Sequence, residues 1–359
     1  MRAVAVQPDG TLAVVDKPEP TPGPGEVVVS VERCGICGSD LHLRNSGFIP
    51  PGAVMGHEFA GTVVAAGRSA GGATDGGATD DNDRDLAIGT RVAVLPSGRD
   101  GTCEDCRAGK SHLCPAQAMT AIGLGLNDGG YAELVKAPAR SCVPLPDGMS
   151  FELGALVEPY AVALHAVRRS RAAAPAADAA AAPNVGIIGA GPVGLLTIAA
   201  LRHHGVERIT VAERSETRAA AAAALGANVQ VTDDASRLLR TAGEPFDVIF
   251  DAAGVTATLP IALESAKPGG QLVLVGVVDI GEVYAMPGML WVIKEVDVIP
   301  SIAYTDDEYR EAVDHVAAGA VPVDTVVSDI RPLEAAEASF KDLARPGGPV
   351  KVLLSPRSS

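Results

Sequence analysis

Six consecutive residues, Cys37-Gly38-Ser39-Asp40-Leu41-His42, offer a thiol, a hydroxyl, a carboxylate and an imidazole. Gly56-His57-Glu58 adds a second imidazole beside a second carboxylate. Thiolate, neutral imidazole and carboxylate are ligand types that Zn²⁺ takes, and a catalytic zinc keeps one position open for water or substrate. Cys37 and His57 are therefore ligand candidates, with Glu58 next to them. Ser39, two residues after a ligand, and then His42 could lead protons away from the open position. Asp40 is a candidate to orient His57 through its other ring nitrogen.

A second chemical stretch lies at Val185-Gly186-Ile187-Ile188-Gly189-Ala190-Gly191-Pro192-Val193-Gly194. It reads as a strand, a GxGxxG turn and the start of a helix. An acidic residue, Glu213, follows at the end of the strand-like Ile209-Thr210-Val211. That context is what a dinucleotide fold requires. Gly189 permits the tight turn, Gly191 lets the backbone approach a pyrophosphate, and Gly194 lets helix and strand pack closely. Pro192 and Val193 open the helix, whose N-terminus faces the phosphates. Glu213 would accept from the adenosine ribose hydroxyls and repel a 2′-phosphate, which favours NAD over NADP. Arg214 pulls the other way, and Arg218 joins it as a cofactor-binding candidate. Gly276 and Val277, ending the strand-like Gln271 to Val275, are candidates to lie near the nicotinamide.

These residues need a scaffold, and 359 residues suffice for two domains with a large core. Aromatics make up only 3%, so aliphatic packing must supply most of that core. A net charge of −15 argues against a nucleic-acid partner or an anionic membrane surface. The apolar start, Met1 to Val6, is too short for a signal peptide. The uncharged run Val185 to Leu201 is short of the ~20 residues a membrane span needs, and carries the glycines of a nucleotide turn. The six Cys fall in two clusters plus Cys142, a pattern of metal binding rather than disulfides. A cytoplasmic location follows as the expectation.

Strands are expected at Val27 to Val31, Phe246 to Asp251 and Val296 to Ala303, and a helical run after Glu158-Pro159. The stretch Arg68 to Ile88, with its repeated Gly-Gly-Ala-Thr-Asp and acidic run, reads as a solvated surface insertion. A Ca²⁺ site from Asp75, Asp80, Asp81, Asp83 and Asp85 lacks the spacing of a calcium loop. Arg171 to Asn184, rich in Ala with two prolines, reads as a loop.

Gly56-His57-Glu58-Phe59-Ala60-Gly61, followed after five residues by Gly67, resembles the signature of the zinc-dependent medium-chain dehydrogenases, the alcohol, sorbitol and threonine dehydrogenase family. Cys34 to His42 is similar to the segment upstream of it in that family. The resemblance covers nearly the whole chain. It implies an α/β protein with a GroES-like, mostly-β catalytic domain over 1–155, a Rossmann doubly wound parallel-sheet domain over 156–304 that binds NAD(P), and a C-terminal return over 305–359. It implies a catalytic zinc on Cys37 and His57, with Glu58 or Glu158 as the third ligand. The family's structural zinc lobe is similar to Asp100-x2-Cys103-x2-Cys106-x7-Cys114, with Asp in place of the first thiol. His112 is a weaker substitute for that thiol. Glu158 stands where simple alcohol dehydrogenases have Cys, which implies a polyol, diol, sugar or amino alcohol as substrate. The implied reaction is hydride transfer between such an alcohol and NAD(P), by a homodimer or homotetramer paired through Val296 to Ala303. The competing readings are a zinc-free quinone or enoyl reductase of the same superfamily, a non-catalytic nucleotide-binding protein, and a purely structural two-zinc protein.

Overall fold

The computed structural model describes residues 1–67, 78–79, 85–173, 182–238, 243–279 and 281–357. Asp75, Asp80, Asp81 and Asp83, most of the repeated stretch, and the middle of the Ala/Pro segment lie outside them. At the edge of the insertion, Ala78–Thr79 pairs antiparallel with Asp85–Leu86. The chain separates into two compact units. One comprises Met1–Glu158, Tyr304–Ala318 and Val327–Ser359; the other comprises Pro159–Ala303 and Gly319–Val326.

In the first unit, the β-branched run Val27 to Val31 belongs to a ten-residue strand, Glu26–Gly35. It is central to a sheet with the order Asp329–Pro332, Val352–Ser355, Glu26–Gly35, Glu58–Ala66, Arg91–Val94, Cys142–Pro144, and Leu134–Pro138 also pairs with it. All pairs are antiparallel except Asp329–Pro332 with Val352–Ser355. The core beneath is aliphatic, as the scarcity of aromatics requires; Tyr131 and Phe340 meet edge to face at 6.1 Å between centroids.

The second unit is a six-stranded parallel sheet. Its spatial order is Asn228–Val231, Arg208–Glu213, Asn184–Ile188, Phe246–Asp251, Ala266–Leu274, Asp297–Pro300. Numbered along the chain this is 3-2-1-4-5-6, the doubly wound order in which ligands bind where the direction reverses. The reversal lies beside Asn184–Ile188, whose C-terminal end runs into the GxGxxG turn and the helix Pro192–His203.

Two elements differ from the sequence reading. Helix Phe151–Arg169 starts well before Glu158-Pro159 and carries Pro159 inside it. Proline suits a first helical turn, which is why the dipeptide looks like a start; here burial of the apolar face from Ala155 to Val167 holds the helix through the missing N–H. The strand within Val296 to Ala303 is limited to Asp297–Pro300, at the edge of its sheet.

Gly61 explains one motif glycine. It pairs with Val31 across the sheet, and a Cβ there would overlap the Ser30 carbonyl oxygen. Gly61→Val should lower stability by about 1–3 kcal/mol or more, since the backbone opposite cannot give way. Urea unfolding should show a lower midpoint with an unchanged slope.

Candidate metal centre and nucleotide loop

Sheet register brings the first donor set together. Strands Glu26–Gly35 and Glu58–Ala66 align Gly35 with Glu58, so the chain just past one strand meets the chain just before the other. Cys37 caps the helix Gly38–Asn45, and His57 precedes Glu58. The Cys37 thiol, a ring nitrogen of His57 and a carboxylate oxygen of Glu58 lie within 4.8 Å of one another. Gly56, at φ +99°, lets the chain turn into this position, where a Cβ would press on Tyr131 and Cys34.

Asp40 stands behind the histidine and is wholly buried. Its Oδ1 faces His57 Nδ1 at 3.3 Å. Its Oδ2 accepts from the Cys37 N–H at 2.9 Å and from the Tyr131 hydroxyl at 2.6 Å. His57 Nε2 then points away from Asp40, 3.4 Å from Ser39 Oγ. Burial alone would lower the His57 pKa, but Asp40 and then Cys37 outweigh it and hold the value well above the ordinary range. A carboxylate behind a histidine whose other nitrogen joins a thiol and a second carboxylate fits a divalent metal. His42 lies on the same short helix as Ser39, half-buried.

The two candidate third ligands differ in their partners. Glu58, fully buried, is ion-paired with Lys351, itself only 1% exposed. Lys351 Nζ also donates to the Ile36 carbonyl at 3.1 Å. Burial would lower the lysine's pKa; Glu58 and Cys37 more than compensate and raise it. Glu158, on helix Phe151–Arg169, is buried and accepts from the Tyr304 hydroxyl at 2.8 Å. Burial pushes its pKa up to about 7, against the pull of His57. Among the described residues it lies outside the tight set of Cys37, His57 and Glu58.

Lys351, Tyr131 and Tyr304 escaped the sequence reading. For Lys351 a signal was present: one cation inside the apolar run Val350 to Leu354, a place where lysine is rarely buried unless paired.

The second donor set is Asp100, Cys103, Cys106 and Cys114, again within 4.8 Å of one another. Asp100 Oδ1 accepts from the Thr102 and Cys103 N–H groups at 2.6 and 2.8 Å, which lowers its pKa to about 2. Backbone N–H groups also reach sulfur, Asp100 to Cys114 and Cys106 to Cys103, both at 3.4 Å. Burial and then Cys103 push the Cys106 thiol up to about 11. An ionised carboxylate crowded among three thiols also fits a zinc-type cation.

In the nucleotide turn, Gly189 has φ +92°, and a Cβ on Gly194 would overlap the Gly189 carbonyl. Around Gly191 there is open space, and Pro192 and Val193 start the helix. Glu213 is more committed than expected. Its Oε2 accepts from Ala190 N–H at 2.6 Å, and its Oε1 from Arg214 and Ser215 N–H, both at 2.8 Å. It therefore closes the turn as well as ending its strand. Arg214 is exposed and Arg218 half-buried on the following helix, Glu216–Ala224. Gly276 packs against Gly254, while Val277 is exposed.

Two expectations follow. Lys351→Met leaves Glu58 buried without its cation and should cost about 3–5 kcal/mol, while the double variant with Glu58→Gln should recover much of it; chemical denaturation reads both. In metal-free protein, a Glu158 value raised from 4.5 to about 7 contributes stability below pH 4.5 that is lost as pH rises through 7. Glu158→Gln should flatten that decline in unfolding midpoint against pH.

Comparison with known proteins bears on the family and the fold. Residues 23–147 match the alcohol dehydrogenase GroES-like domain, and residues 192–318 match the zinc-binding dehydrogenase domain. Sorbitol dehydrogenase of Bombyx mori is 31% identical, covering 94% of this chain and 93% of its own. That of Bos taurus is 30% identical, covering 98% and 95%. Among solved structures, 2R,3R-butanediol dehydrogenase from Bacillus subtilis is 30% identical with a TM-score of 0.83, covering 99% of each chain. A structure from Sinorhizobium meliloti 1021 bound to NADP is 32% identical with a TM-score of 0.86, also covering 99% of each. On its motifs, its two units and its full-length relatives, the chain belongs to the zinc-dependent medium-chain dehydrogenase family.

Proposed function

We propose that the protein is a zinc-dependent polyol or secondary-alcohol dehydrogenase that exchanges a hydride with NAD(P). The observation that carries this is the convergence of Cys37, His57 and Glu58 with Asp40 behind the histidine, in a chain that also holds a GxGxxG turn at a sheet reversal. Cys37, His57 and Glu58 hold the catalytic zinc, which when bound supplies a Lewis acid for a substrate oxygen. Asp40 fixes the histidine ring. Glu158, with a pKa near 7, holds or releases a proton beside the cluster at neutral pH. Ser39 Oγ receives the substrate proton and His42, on the same helix, passes it outward. Asp100, Cys103, Cys106 and Cys114 hold a structural zinc.

The polyol class is supported by the sorbitol and butanediol dehydrogenases among the relatives, and by glutamate at 158. Gly189, Gly191, Pro192, Val193, Gly194, Gly276 and Val277 form the dinucleotide site. NAD is proposed over NADP because an acidic side chain ends the second strand of the unit. Arg214, Arg218 and the NADP-bound relative favour the phosphorylated form, and a direct comparison separates them. The expected domain division at 155/156 and 304/305 is proposed only to within a few residues, since the compact units divide at Glu158/Pro159 and Ala303/Tyr304, and Gly319–Val326 joins the second. A homodimer or homotetramer is supported by the edge strand Asp297–Pro300 and by the exposed Met289, Val292, Ile293 and Ile302 near it in sequence. No described helix is long and apolar enough to cross a membrane, and a cytoplasmic location is proposed.

The test measures metal per chain together with reduction of NAD⁺ and NADP⁺ over a panel of polyols and secondary alcohols. The expected result is two zincs, turnover on at least one polyol, and a higher kcat/KM with NAD⁺. Cys37→Ser should lose one zinc and turnover together. Retention of both by that variant rejects the ligand assignment, and zinc without turnover on any alcohol moves the protein to the binding class.

A further inference from the structure

Three consecutive residues in the first unit, Tyr304, Thr305 and Asp306, run from Glu158 to residues within and beside the Asp100–Cys114 lobe. Tyr304 is buried, and its hydroxyl donates to Glu158 Oε1 at 2.8 Å. Burial and then Glu158 push its pKa well up, so it remains a neutral donor. Its ring lies 5.4 Å from that of Tyr309. Thr305 caps the helix Asp306–Ala317 through a reciprocal pair with Glu308: Thr305 N–H donates to Glu308 Oε2 at 2.8 Å, and Glu308 N–H to Thr305 Oγ1 at 3.2 Å. Asp306 Oδ1 accepts from the Ser111 hydroxyl at 2.5 Å, and its Oδ2 pairs with Arg99. Arg99 directly precedes Asp100, and Ser111 stands three residues before Cys114. Asp306 thus meets the Asp100–Cys114 lobe within it, at Ser111, and at Arg99 just before it.

The backbone here is also held. Ala303, just before Tyr304, has φ +50°, a left-handed conformation that a residue with a Cβ keeps only where its surroundings impose it.

We propose that Tyr304 is a positioning residue for Glu158, and that Asp306 makes the Asp100–Cys114 lobe the footing on which that positioning rests. With Oε1 held by a neutral hydroxyl, the Glu158 carboxylate cannot swing about its side-chain bonds. The capped turn at Thr305 transmits the lobe's position to Tyr304 through two peptide units. This rests on the reading of Cys37, His57 and Glu58 as metal ligands.

The test uses full-length protein in which zinc has been exchanged for cobalt. Visible bands abolished by Cys37→Ser belong to the first donor set. Tyr304→Phe should shift those bands and lower kcat about tenfold, the loss of one hydrogen bond to a charged group, with little change in the KM for the nucleotide. Tyr309→Phe, an equal change in the same packed pair, should leave bands and kcat as they are. Asp306→Asn and Ser111→Ala should shift the bands in the same direction as Tyr304→Phe, by less, and they report where Tyr304→Phe does not fold. Wild-type bands and kcat in Tyr304→Phe would overturn the positioning role. Shifted bands in Tyr304→Phe with unchanged bands in both Asp306→Asn and Ser111→Ala would overturn the footing. A wild-type chain with no band dependent on Cys37 removes the metal reading, and the proposal with it.

Discussion

Asp40, His57, Glu58, Glu158 and Lys351 are all buried within one unit of the chain. Removing so many ionisable groups from water is costly, and a buried charge left alone is the most costly arrangement. Each therefore has a partner: Asp40 takes the Cys37 amide, the Tyr131 hydroxyl and His57; Glu58 takes Lys351; Glu158 takes Tyr304. In the metal-bound form proposed above, with Cys37 a thiolate ligand and His57 neutral, Asp40, Glu58 and Cys37 outnumber Lys351 and leave an excess of negative charge. A doubly charged metal neutralises it when Glu158 carries its proton. The proposed zinc is thus also the term that lets this interior close.

The two donor sets are built differently. The lobe at 100–114 gathers its donors within a short stretch, through a helix cap and backbone N–H groups, so local chain geometry largely makes it. The set at Cys37, His57 and Glu58 depends on pairing between two strands of the large sheet and on a lysine beside a third, Val352–Ser355, which pairs with Glu26–Gly35. A one-residue slip between Glu26–Gly35 and Glu58–Ala66 would turn every side chain to the opposite face. The overlap that any side chain at 61 would create fits the same demand for one register.

That contrast accounts for what could be read in advance. The donor groups and the nucleotide turn were legible because each is compressed into a few residues with a distinctive spacing. Strand Phe246–Asp251 was legible because turn residues bound its apolar run. Tyr304 was not, and Lys351 showed only as an odd cation in an apolar run, because their partners lie on strands and helices far away along the chain. Pro159 misled, because a proline's local preference for a helix start is weaker than the burial of the helix around it. Glu213 was placed correctly at a strand end, but its bond to Ala190 depends on how the turn folds back over the sheet, which no spacing rule states.

The pairing of Lys351 with Glu58 also sets an order of events during synthesis. A ribosome makes Glu58 long before Lys351, and strand Glu58–Ala66 can find strand Glu26–Gly35 as soon as both have emerged. Until Val352–Ser355 docks, Glu58 lacks Lys351 as a counter-charge, and burying it alone would be costly. Closing the sheet at this end thus depends on a segment made nearly three hundred residues later. A chain lacking that strand would carry Cys37, His57 and Glu58 yet leave Glu58 without its buried cation.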